Sequence, residues 1–576
     1  MIAGSLFVEL SIVILVALII TGVMRWLRQP AIVGYLLTGI IVSPFLLNLI
    51  GSEANFEPFA KIGISLLLFT VGLNLNPKAI KNLGKVTIVA GIGQLIFTFV
   101  LGYASAVFLG FSSIAGVYIA LALSFSSTIV IMKLLTDKEE TETLHGRVAI
   151  GFLIVQDLVH IVALIILLTA TSIPADVSIS SVIVSTGLKG IGLAIALFFM
   201  SIYILPPLTK SLARSQEMLL FFAVGWALFL SSVFYYLNFS IEVGALLAGV
   251  ALSVSPFRYE ISSRMKPLRD FFLLIFFIWL ALNMVPISLG KYLIPIIIFS
   301  LIVLVGAPLI VMTLMGVLGY TKRNSFLAGI SIAQISEFSF IITALGVGLG
   351  HISNEILSVV IIIGLVTIIG SSYSVTHSRG LYNFLASYLS IFERKGKKVD
   401  EGKHHIRNDH DVILFGYNRI GFDLLKSFDK IKKRVLVVDY NPETILRLAR
   451  RGIDSRYGDA NDIELLEGLN LKNARMFVST IPERETNLLL IRKIKRVNKN
   501  AIFIVIAHHV DDALELYNAG ASYVIMPHFL GGHHTAGLIE KYELKRGLFM
   551  NEKTRNLKWL RQKKREGHEH PIHERS

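Results

Sequence analysis

An acidic residue, Asp157, lies within a long apolar run that extends from about Arg147 to Ala170. The run is long enough to cross a bilayer as one helix. Asp157 follows Arg147 by about 10 residues, which places it roughly 15 Å along that helix and close to the bilayer midplane. A carboxylate at this depth costs at least ~2.5–3.5 kcal/mol to insert, so it needs a proton, a cation or a polar partner. These properties favour a transport site at which a proton and a metal ion compete, and a buried Asp satisfied by neighbouring backbone is the alternative.

Gln156 and His160 are further polar residues in the same apolar run. Gln156 adds a neutral polar side chain about 100° around the helix from Asp157. His160 follows one turn later, and we interpret it as a hydrogen-bond donor to a carbonyl group rather than as a proton relay.

Two other apolar spans are interrupted by polar residues in a similar way. The first interruption contains Ser126, Ser127 and Thr128, and the second contains Gln334 and Glu337. Paired interruptions at matching positions of inverted repeats are a strong sequence indication of a transporter's midplane site, because unwound backbone offers carbonyl groups and helix ends to an ion. We therefore predict inverted repeats whose broken helices cross. We assign Glu337 the structural role of pairing with an opposing helix end. Serine and threonine bonded back within ordinary helices are the alternative.

The composition indicates a membrane protein with a soluble part attached. The 576 residues are 54% hydrophobic and only 16% charged, with a mean hydropathy of +0.66. The lack of cysteine excludes disulfides and thiol redox sensing by this chain. The net charge of +15 fits basic cytoplasmic loops. Motifs that contact nucleic-acid bases are absent, so no nucleic-acid partner is expected.

Hydropathy predicts about 13 membrane-spanning helices. Their approximate ranges are 5–24, 31–50, 58–75, 86–110, 114–135, 147–170, 181–206, 216–237, 240–255, 270–287, 292–317, 325–349 and 355–375. Basic residues are concentrated in alternate loops, which marks those loops as cytoplasmic. An odd number of spans then places the N-terminus outside and everything after residue 375 inside. We expect a multi-pass protein of the inner cell membrane, surrounded by membrane lipid.

A nucleotide-binding pattern follows the spans. A short apolar strand at 412–415 leads into a glycine-containing turn and a helical pattern, and the next strand ends in Asp439, which is placed to bond ribose hydroxyls. Asn418 replaces the middle glycine of the usual motif and brings a side chain towards the phosphates, so binding is either altered or lost. The candidate nucleotide-binding residues are Gly416, Asn418, Arg419, Gly421, Asp439 and Asp459.

These features together resemble the Kef-type branch of the monovalent cation:proton antiporters over nearly the whole chain. The motifs of the membrane part that carry the resemblance lie at 69–74, 126–128, 156–157, 244–249 and 334–338. A Glu often stands in this family where the chain has Asn74, and no glutathione-dependent sensor site is recognisable. The C-terminal part resembles the regulatory domain called RCK or TrkA-N.

The resemblance implies a homodimer in which a core domain moves against a dimerisation domain, with Asp157 carrying either a proton or a cation in alternating access. Within the family the Gln-Asp pair accompanies K⁺ exchangers, whereas Asp-Asp more often accompanies Na⁺ exchangers. We therefore predict a K⁺/H⁺ antiporter, with Na⁺/H⁺ exchange as the alternative. The residues predicted to take part in transport are Ser126, Ser127, Thr128, Gln156, Asp157, Gln334 and Glu337.

A single titrating carboxylate at the site predicts electroneutral exchange. Position 156 carries no second acid, and no basic residue is evident within the predicted span 270–287. One cation should therefore be exchanged for each proton.

A cation channel gated by an RCK domain is the alternative from another class of protein. The segment 70–72 is Thr-Val-Gly, as in potassium-channel filters, but a filter needs four such loops, each preceded by a pore helix. Here the segment occurs once, inside a predicted span, and is followed by Leu73. A dehydrogenase is disfavoured because no substrate domain follows the nucleotide-binding pattern. We expect a transporter and not an enzyme.

The predicted fold is a polytopic α-helical membrane domain followed by an α/β Rossmann-like domain. Its predicted regions are a transmembrane exchanger domain at 1–376, a charged linker at 377–410, an RCK/TrkA-N domain at 411–540 and a basic tail at 541–576. The expected regulatory ligand is an adenine nucleotide, namely AMP, ATP or NAD(H). The side chain of Asn418 favours a mononucleotide over a dinucleotide's pyrophosphate. An empty fold that only packs against the membrane domain or its twin is the alternative.

Overall fold

The computed structural model describes most of the chain. The residues outside the description are 1–5, 45, 51–52, 75–84, 139, 142, 171–191, 194, 214, 238, 288, 395–402, 405–408, 418–419, 462 and 566–576. The chain divides into two compact units. One comprises Met1–Thr141, His145–Leu318 and Lys322–Arg394, and the other contains Lys395–Ser576.

The first unit is helical throughout the residues described. Its α-helices are α1 (Leu6–Trp26), α2 (Ala31–Val42), α3 (Glu57–Asn74), α4 (Lys85–Phe108), α5 (Ser113–Ser124), α6 (Thr128–Asp137), α7 (Leu144–Ala170), α8 (Leu205–Leu212), α9 (Gln216–Tyr236), α10 (Ile241–Leu252), α11 (Arg258–Leu282), α12 (Leu289–Leu301), α13 (Ala307–Val317), α14 (Lys322–Ser331), α15 (Glu337–Gly348), α16 (Asn354–Thr376) and α17 (Ser378–Leu385). Short π-helical turns at Met200–Ile204 and Ile302–Gly306 precede α8 and α13. Helix α3 packs along α10 and α11, so these helices form the centre of one buried cluster.

Within the described residues, 7 helical segments are long and apolar enough to cross a membrane. They are Leu6–Trp26, Val86–Phe108, Ser113–Asp137, Ile195–Leu212, Glu217–Tyr236, Gly290–Val317 and Asn354–Thr376. Shorter apolar helices occur at Ala31–Val42, Ile241–Leu252 and Glu337–Gly348. The chain is therefore a multi-pass membrane protein. The count of about 13 spans stays a prediction, because the short and charged helices do not meet this criterion and 171–191 lies outside the description.

Two helices of this unit are interrupted, at 125–127 and at 332–336. Each first half ends at a serine whose hydroxyl bonds the carbonyl four residues back: Ser124 bonds Ala120 and Ser331 bonds Leu327, both at 2.7 Å. In both cases a second helix starts after the interruption. Serine hydroxyls therefore do bond backbone carbonyls within these helices, as the alternative expected. Both helices are nevertheless broken at the interruptions.

Serine also caps the second half of each interrupted helix. Ser127 precedes α6 and accepts a hydrogen bond from the backbone N–H of Val130 at 3.3 Å. Ser336 precedes α15 and accepts one from Phe338 at 3.2 Å. A hydroxyl at this position satisfies one of the free N–H groups at a helix start, so the sequence itself favours a new helix beginning here.

Some helix boundaries differ from those expected from hydropathy. Helix α11 begins at Arg258 and ends at Leu282, whereas the predicted span was 270–287. Hydropathy marks only the apolar part of a helix, and charged residues before it can remain helical. At the other end, the side-chain Nδ2 of Asn283 donates to the carbonyl of Trp279 at 2.8 Å. This bond caps the end of the helix before Pro286.

The stretches predicted to be a linker and a tail also contain helices. Helix α17 (Ser378–Leu385) lies within the predicted linker, and the ring of Tyr382 packs 5.8 Å from that of Phe326. A helix at Arg546–Arg565 occupies most of the predicted tail. The charge pattern of these two stretches did not indicate the helices that they contain.

The second unit is built on a seven-stranded sheet with the order β1-β4-β3-β2-β5-β6-β7. The strands are β1 (Lys403–His404), β2 (Val412–Phe415), β3 (Val435–Asp439), β4 (Ser455–Tyr457), β5 (Met476–Ser479), β6 (Ile502–Ile506) and β7 (Tyr523–Ile525). Strands β2 to β7 are parallel, and β1 pairs antiparallel with β4. The expected Rossmann-like α/β fold is thus confirmed.

The central strand β2 is flanked by β3 and by β5. Strands β3 and β4 are added on one side of β2 and strands β5 to β7 on the other, so the strand order reverses at β2. Every residue of β2 and β3 is buried, as expected for strands covered on both faces. Helix α18 (Gly421–Lys430) follows β2, and α19 (Pro442–Arg450) follows β3. Ligands of such sheets bind at the carboxyl ends of the strands beside the reversal, which here is the turn after β2.

Candidate functional site

Asp157 is bonded by the first residue of a broken helix. The Thr128 hydroxyl donates towards both carboxylate oxygens, at 3.3 Å to Oδ1 and 3.1 Å to Oδ2. Thr128 begins α6, so the carboxylate lies at the positive end of that helix. The predicted residues Asp157 and Thr128 are therefore in contact, although 29 positions separate them in the sequence.

Gln156 forms a buried chain of amide hydrogen bonds. Its Oε1 accepts from the backbone N–H of Ser126 at 3.1 Å, and its Nε2 donates to Gln94 Oε1 at 2.6 Å. Gln94 in turn donates to Thr98 Oγ1 at 3.1 Å. Gln156 therefore holds the interruption between α5 and α6 in place. Gln94 carried no assigned role in the sequence, and Thr98 was missed. Their spacing of one helical turn within a predicted span was the available signal.

The two interruptions meet directly. Ser126 Oγ donates to the carbonyl of Ile332 at 2.7 Å, and Ser339 Oγ donates to the carbonyl of Ala122 at 2.6 Å. One bond thus runs from each broken helix to unwound or terminal backbone of the other. Side chains satisfy carbonyl groups that a continuous helix would have bonded internally.

Glu337 is the first residue of α15 and is buried. Its Oε1 accepts a hydrogen bond from Ser127 Oγ at 2.7 Å, and its charge interacts with that of Arg269. Arg269 lies one position before the predicted span 270–287 and belongs to the same helix, because α11 begins earlier than hydropathy indicated. Glu337 therefore has a hydroxyl donor and a helix N-terminus as partners.

The structure contradicts the role expected of His160. Both ring nitrogens are buried without a hydrogen-bond partner among the described residues, so His160 is no donor to a carbonyl there. Its ring lies 4.6 Å from that of Phe125 and 4.4 Å from that of Phe338, measured between centroids. Phe125 lies in the first interruption and Phe338 is the second residue of α15, so the ring of His160 packs where the two broken helices meet.

Gln334 lies in the second interruption and is 1% exposed. Neither its Oε1 nor its Nε2 has a hydrogen-bond partner among the described residues. A buried amide without partners costs about 1–3 kcal/mol, so a water or an ion is expected beside it. In the described part of the chain, no group of three or more His, Asp or Glu residues could hold a metal.

In the second unit, Asp439 joins the turn after β2 to the end of β3. Its Oδ2 accepts from the backbone N–H of Tyr417 and its Oδ1 from that of Asn441, both at 2.8 Å. Burial raises the pKa of Asp439 above its usual range, although both amide bonds favour the charged form. Each oxygen retains a lone pair for a hydroxyl.

The glycines around Asp439 have the positions that a phosphate-binding turn requires. Gly416 has a φ of +84°, a conformation that favours glycine. Gly421 begins α18 directly against the carbonyl of Gly416, where a side chain would collide. The helix N-terminus can therefore come close to the strand end. Asn418 and Arg419 lie outside the described residues.

Asp459 follows β4 and is bonded within its own loop. Its Oδ1 accepts from the backbone N–H of Asn461 at 2.9 Å. The adjacent Gly458 donates to the carbonyl of Asp439 at 3.1 Å, which brings this loop beside the end of β3. The predicted nucleotide residues that can be described thus lie along the same sheet edge.

Comparison with known proteins identifies the family. The family described as "Sodium/hydrogen exchanger, transmembrane" matches residues 12–377, and the TrkA-N domain matches residues 412–527. The chain therefore belongs to the sodium/hydrogen exchanger family and carries a C-terminal TrkA-N domain. The family predicted from the sequence motifs is confirmed, and it is a family of cation/proton antiporters and not of enzymes.

The chain is similar to several named proteins. It is 27% identical over 517 residues to the candidate cation/proton antiporter YbaL of Escherichia coli (strain K12), covering 87% of this chain and 91% of YbaL. It is 27% identical over 517 residues to the glutathione-regulated potassium-efflux system protein KefC of Enterobacter sp. (strain 638), covering 88% of this chain and 80% of KefC. Among solved structures, the sodium proton antiporter MjNhaP1 of Methanocaldococcus jannaschii has a TM-score of 0.45 and 16% identity, covering 65% of this chain and 97% of that one.

Proposed function

We propose that this antiporter exchanges K⁺ for H⁺ and that Asp157 carries either the proton or the cation. The observation that carries the proposal is the contact of Thr128 with Asp157 beside the junction of the two interrupted helices. A carboxylate, a hydroxyl and unwound carbonyl groups are the oxygen ligands that alkali cations accept. Two helices that break at one point supply these groups without a continuous polar helix through the bilayer.

The other site residues support this carboxylate in different ways. Gln156 and Ser126 hold the first interruption through neutral hydrogen bonds. Gln334 offers a buried amide in the second interruption that has no hydrogen-bond partner among the described residues. Glu337 is already bonded to Ser127 at the start of α15, so it acts as an anchor rather than as an ion ligand.

With one exchangeable carboxylate, the proton and the cation displace each other and transport is electroneutral. Alternating access follows if the two broken helices move together relative to the rest of the dimer, since their hydrogen bonds join them into one body. We further infer a homodimer in the inner membrane, with the N-terminus outside and the C-terminal domain cytoplasmic. The domain boundaries at 376, 410 and 540 stay predictions.

Potassium is favoured over sodium by the Gln156-Asp157 pair and by the similarity to KefC, which is named as a potassium-efflux protein. The family name refers to sodium, so Na⁺/H⁺ exchange is the second candidate. Dequenching of a pH-sensitive dye in proteoliposomes, with K⁺, Na⁺ and Li⁺ added in turn, distinguishes them. Dequenching by K⁺ at concentrations about tenfold below those needed for Na⁺ would support the proposal, and the reverse order would support sodium exchange.

We also propose that an adenine nucleotide regulates transport through the TrkA-N domain. Asp439 retains lone pairs for ribose hydroxyls, and the close approach of Gly421 to the carbonyl of Gly416 brings the start of α18 to the end of β2, where a helix N-terminus can bind a phosphate. The nucleotide acts by binding one transport state more tightly than the other, not by chemistry. Among AMP, ATP and NAD(H) we favour a mononucleotide, because Asn418 replaces the middle glycine of the dinucleotide-binding sequence motif. Calorimetry of the full-length protein with each nucleotide tests this choice.

A further inference from the structure

Lys138 directly follows helix α6, and its side chain joins that helix to the end of α16. Its Nζ donates to the carbonyl of Val375 at 3.0 Å and to Ser378 Oγ at 2.8 Å. Val375 lies in the last turn of α16, where carbonyl groups have no donor within the helix, and Ser378 begins α17. The ammonium group on α6 therefore caps a second helix and holds the start of a third.

The charge of Lys138 is balanced by a neighbouring carboxylate. Glu140 Oε1 lies 3.3 Å from Lys138 Nζ, and Glu140 Oε2 lies 3.3 Å from His145 Nε2 in the first turn of α7. Burial alone would raise the pKa of Glu140, but its hydrogen bonds with His145 and Lys138 and their charges lower the pKa to about 2. Glu140 is therefore ionised at neutral pH, and Lys138 keeps a charged partner while it bonds the end of α16.

The residues that follow α16 pack against both interrupted helices. We call residues 378–393 the docking segment; it consists of α17 and a 3-10 turn at Tyr388–Phe392. The docking segment lies against α13, α14 and α16. Leu134 of α6 packs against the cluster that these elements bury together. The buried residues of that cluster are Met312, Phe326, Leu327, Ile330, Val375, Tyr382 and Leu389.

The end of the docking segment fits closely against α13 and α14. Glu393 Oε1 accepts a hydrogen bond at 3.2 Å from the backbone N–H of Lys322, the first residue of α14. A carboxylate at a helix N-terminus is favourable. Gly316 of α13 lies so close to the carbonyl of Phe392 that a side chain there would collide with it. This contact gives a way to displace the segment without changing Lys138.

The docking segment thus holds the ends of α6 and α14 that lie away from the interruptions. At its other end α6 begins with Thr128, which bonds Asp157, and α14 leads into the interruption that contains Gln334. Ten residues of helix separate Thr128 from Lys138, or roughly 15 Å. A helix is stiff over this length, so a shift of its capped end moves the residue that bonds Asp157.

We propose that Lys138 is a positioning residue for exchange, which couples the docking segment to the ion site through α6. The chain continues from this segment into the second compact unit, which begins at Lys395. A ligand of that unit can therefore bias the ion site by favouring the docked or the released segment. The inference rests on the proposed function, because it takes Asp157 as the site where the cation binds.

Docking can be followed by thiol labelling, because the chain contains no cysteine. Leu389 is 7% exposed, so Leu389→Cys in otherwise native full-length protein should react slowly with a maleimide. Adding Lys138→Met should increase the labelling rate about tenfold, since a bond from a charged donor is lost. Lys133→Met removes the same charge from an exposed position of the same helix and should leave the rate unchanged. Lys138→Arg keeps a charged donor and should restore slow labelling.

A second pair of variants displaces the segment by its backbone contact. Gly316→Ala should also speed labelling, because the new side chain pushes the carbonyl of Phe392 away. Gly306→Ala is the matched control, since a side chain there meets no atom closer than 3.8 Å. Unchanged labelling in both Lys138→Met and Gly316→Ala would show that neither contact holds the segment, and the proposal would be wrong.

Coupling to the ion site is measured by repeating the labelling with saturating K⁺ and then Na⁺, each replacing choline at constant pH and ionic strength. The transported cation should change the labelling rate about fivefold in protein with native Lys138, a size typical of coupling between two sites. Lys138→Met and Asp157→Asn should each remove this response. In proteoliposomes, Lys138→Met should slow exchange while the cation concentration for half-maximal rate stays within about twofold of the native value, because Lys138 does not touch the ion.

The outcomes separate this inference from the proposed function. If dequenching shows exchange but neither cation changes the labelling rate, the coupling is overturned and the function stands. If Lys138→Met speeds labelling but keeps the response to the cation, Lys138 only caps α16 and the proposal is likewise overturned. A response lost in Lys138→Met but retained in Asp157→Asn would support the coupling and contradict Asp157 as the cation site.

Discussion

Ser127 donates a 2.7 Å hydrogen bond from its hydroxyl to Oε1 of Glu337, across 210 positions of the sequence. Ser127 caps α6 and Glu337 begins α15, so the bond joins the N-terminal ends of two half-helices. Both ends are positive, and they repel each other unless negative charge lies between them. Glu337 supplies a charge that is fixed by its partners. The carboxylate of Asp157, which we propose exchanges a proton for a cation, is instead bonded by Thr128, the first residue of α6.

We expect Asp157→Asn to abolish cation-dependent proton flux while the protein stays folded. A neutral amide cannot alternate between a proton-bound and a cation-bound state. Dequenching in proteoliposomes measures the flux, and size-exclusion chromatography and melting temperature check the fold. Asp137→Asn, at the exposed end of α6, is the matched control and should transport normally. Retained flux in Asp157→Asn would show that the shared-carboxylate mechanism is wrong.

Glu337→Gln should reduce stability more than it changes ion affinity. The amide oxygen can still accept from Ser127, but the negative charge at the start of α15 is lost. A charge-assisted bond of this kind contributes about 1.5–3 kcal/mol. We expect a lower melting temperature and an apparent cation affinity that stays within about threefold of the native value. An affinity loss of tenfold or more at unchanged melting temperature would make Glu337 an ion ligand.

Exchange should be electroneutral and should respond to pH through competition. Setting the membrane potential with an ionophore is expected to leave the rate nearly unchanged, because one charge replaces another at Asp157. As the pH falls, protons occupy this carboxylate more often and the cation concentration for half-maximal rate should rise. At the limit of simple competition it rises about tenfold for each pH unit. A strong dependence on voltage would require a second titrating group.

AMP binding to the TrkA-N domain should weaken on acidification. The ionised carboxylate of Asp439 accepts ribose hydroxyls best, and burial raises its pKa above the usual range. The group therefore becomes protonated at a higher pH than an ordinary Asp, and affinity should begin to fall there. Calorimetry of the full-length protein over a pH series measures the change. Binding that is constant down to the usual range of an Asp would exclude Asp439 from the site.

Asp439→Asn should remove most of the heat of AMP binding. The asparagine side chain presents an amide NH₂ where Tyr417 and Asn441 both present N–H groups, so one of these bonds is lost as well. Asp511→Asn, exposed on the helix Val510–Ala519, tests for a general effect of charge. If native protein releases no heat with any adenine nucleotide, the fold serves as an empty scaffold.

The order of functional segments was visible in the sequence, because each rests on local patterns. Asp157 stands out as a charge in an apolar run, and Ser126 and Gln334 mark interruptions that the structure shows as real breaks. The strand and acid that end at Asp439 follow the periodicity of a βαβ unit. Hydropathy, capping residues and glycine conformation act over a few positions, so sequence alone can report them.

The partners of these residues depended on the tertiary structure. Arg269 was overlooked because hydropathy cannot show where a charged helix begins. Gln94 and Thr98 gained a role only when their helix lay beside Gln156. The ring of His160 packs against Phe125 of the first interruption and Phe338 of α15, which are far apart in the sequence. Contacts between distant segments depend on how whole helices pack, and no local pattern encodes that packing.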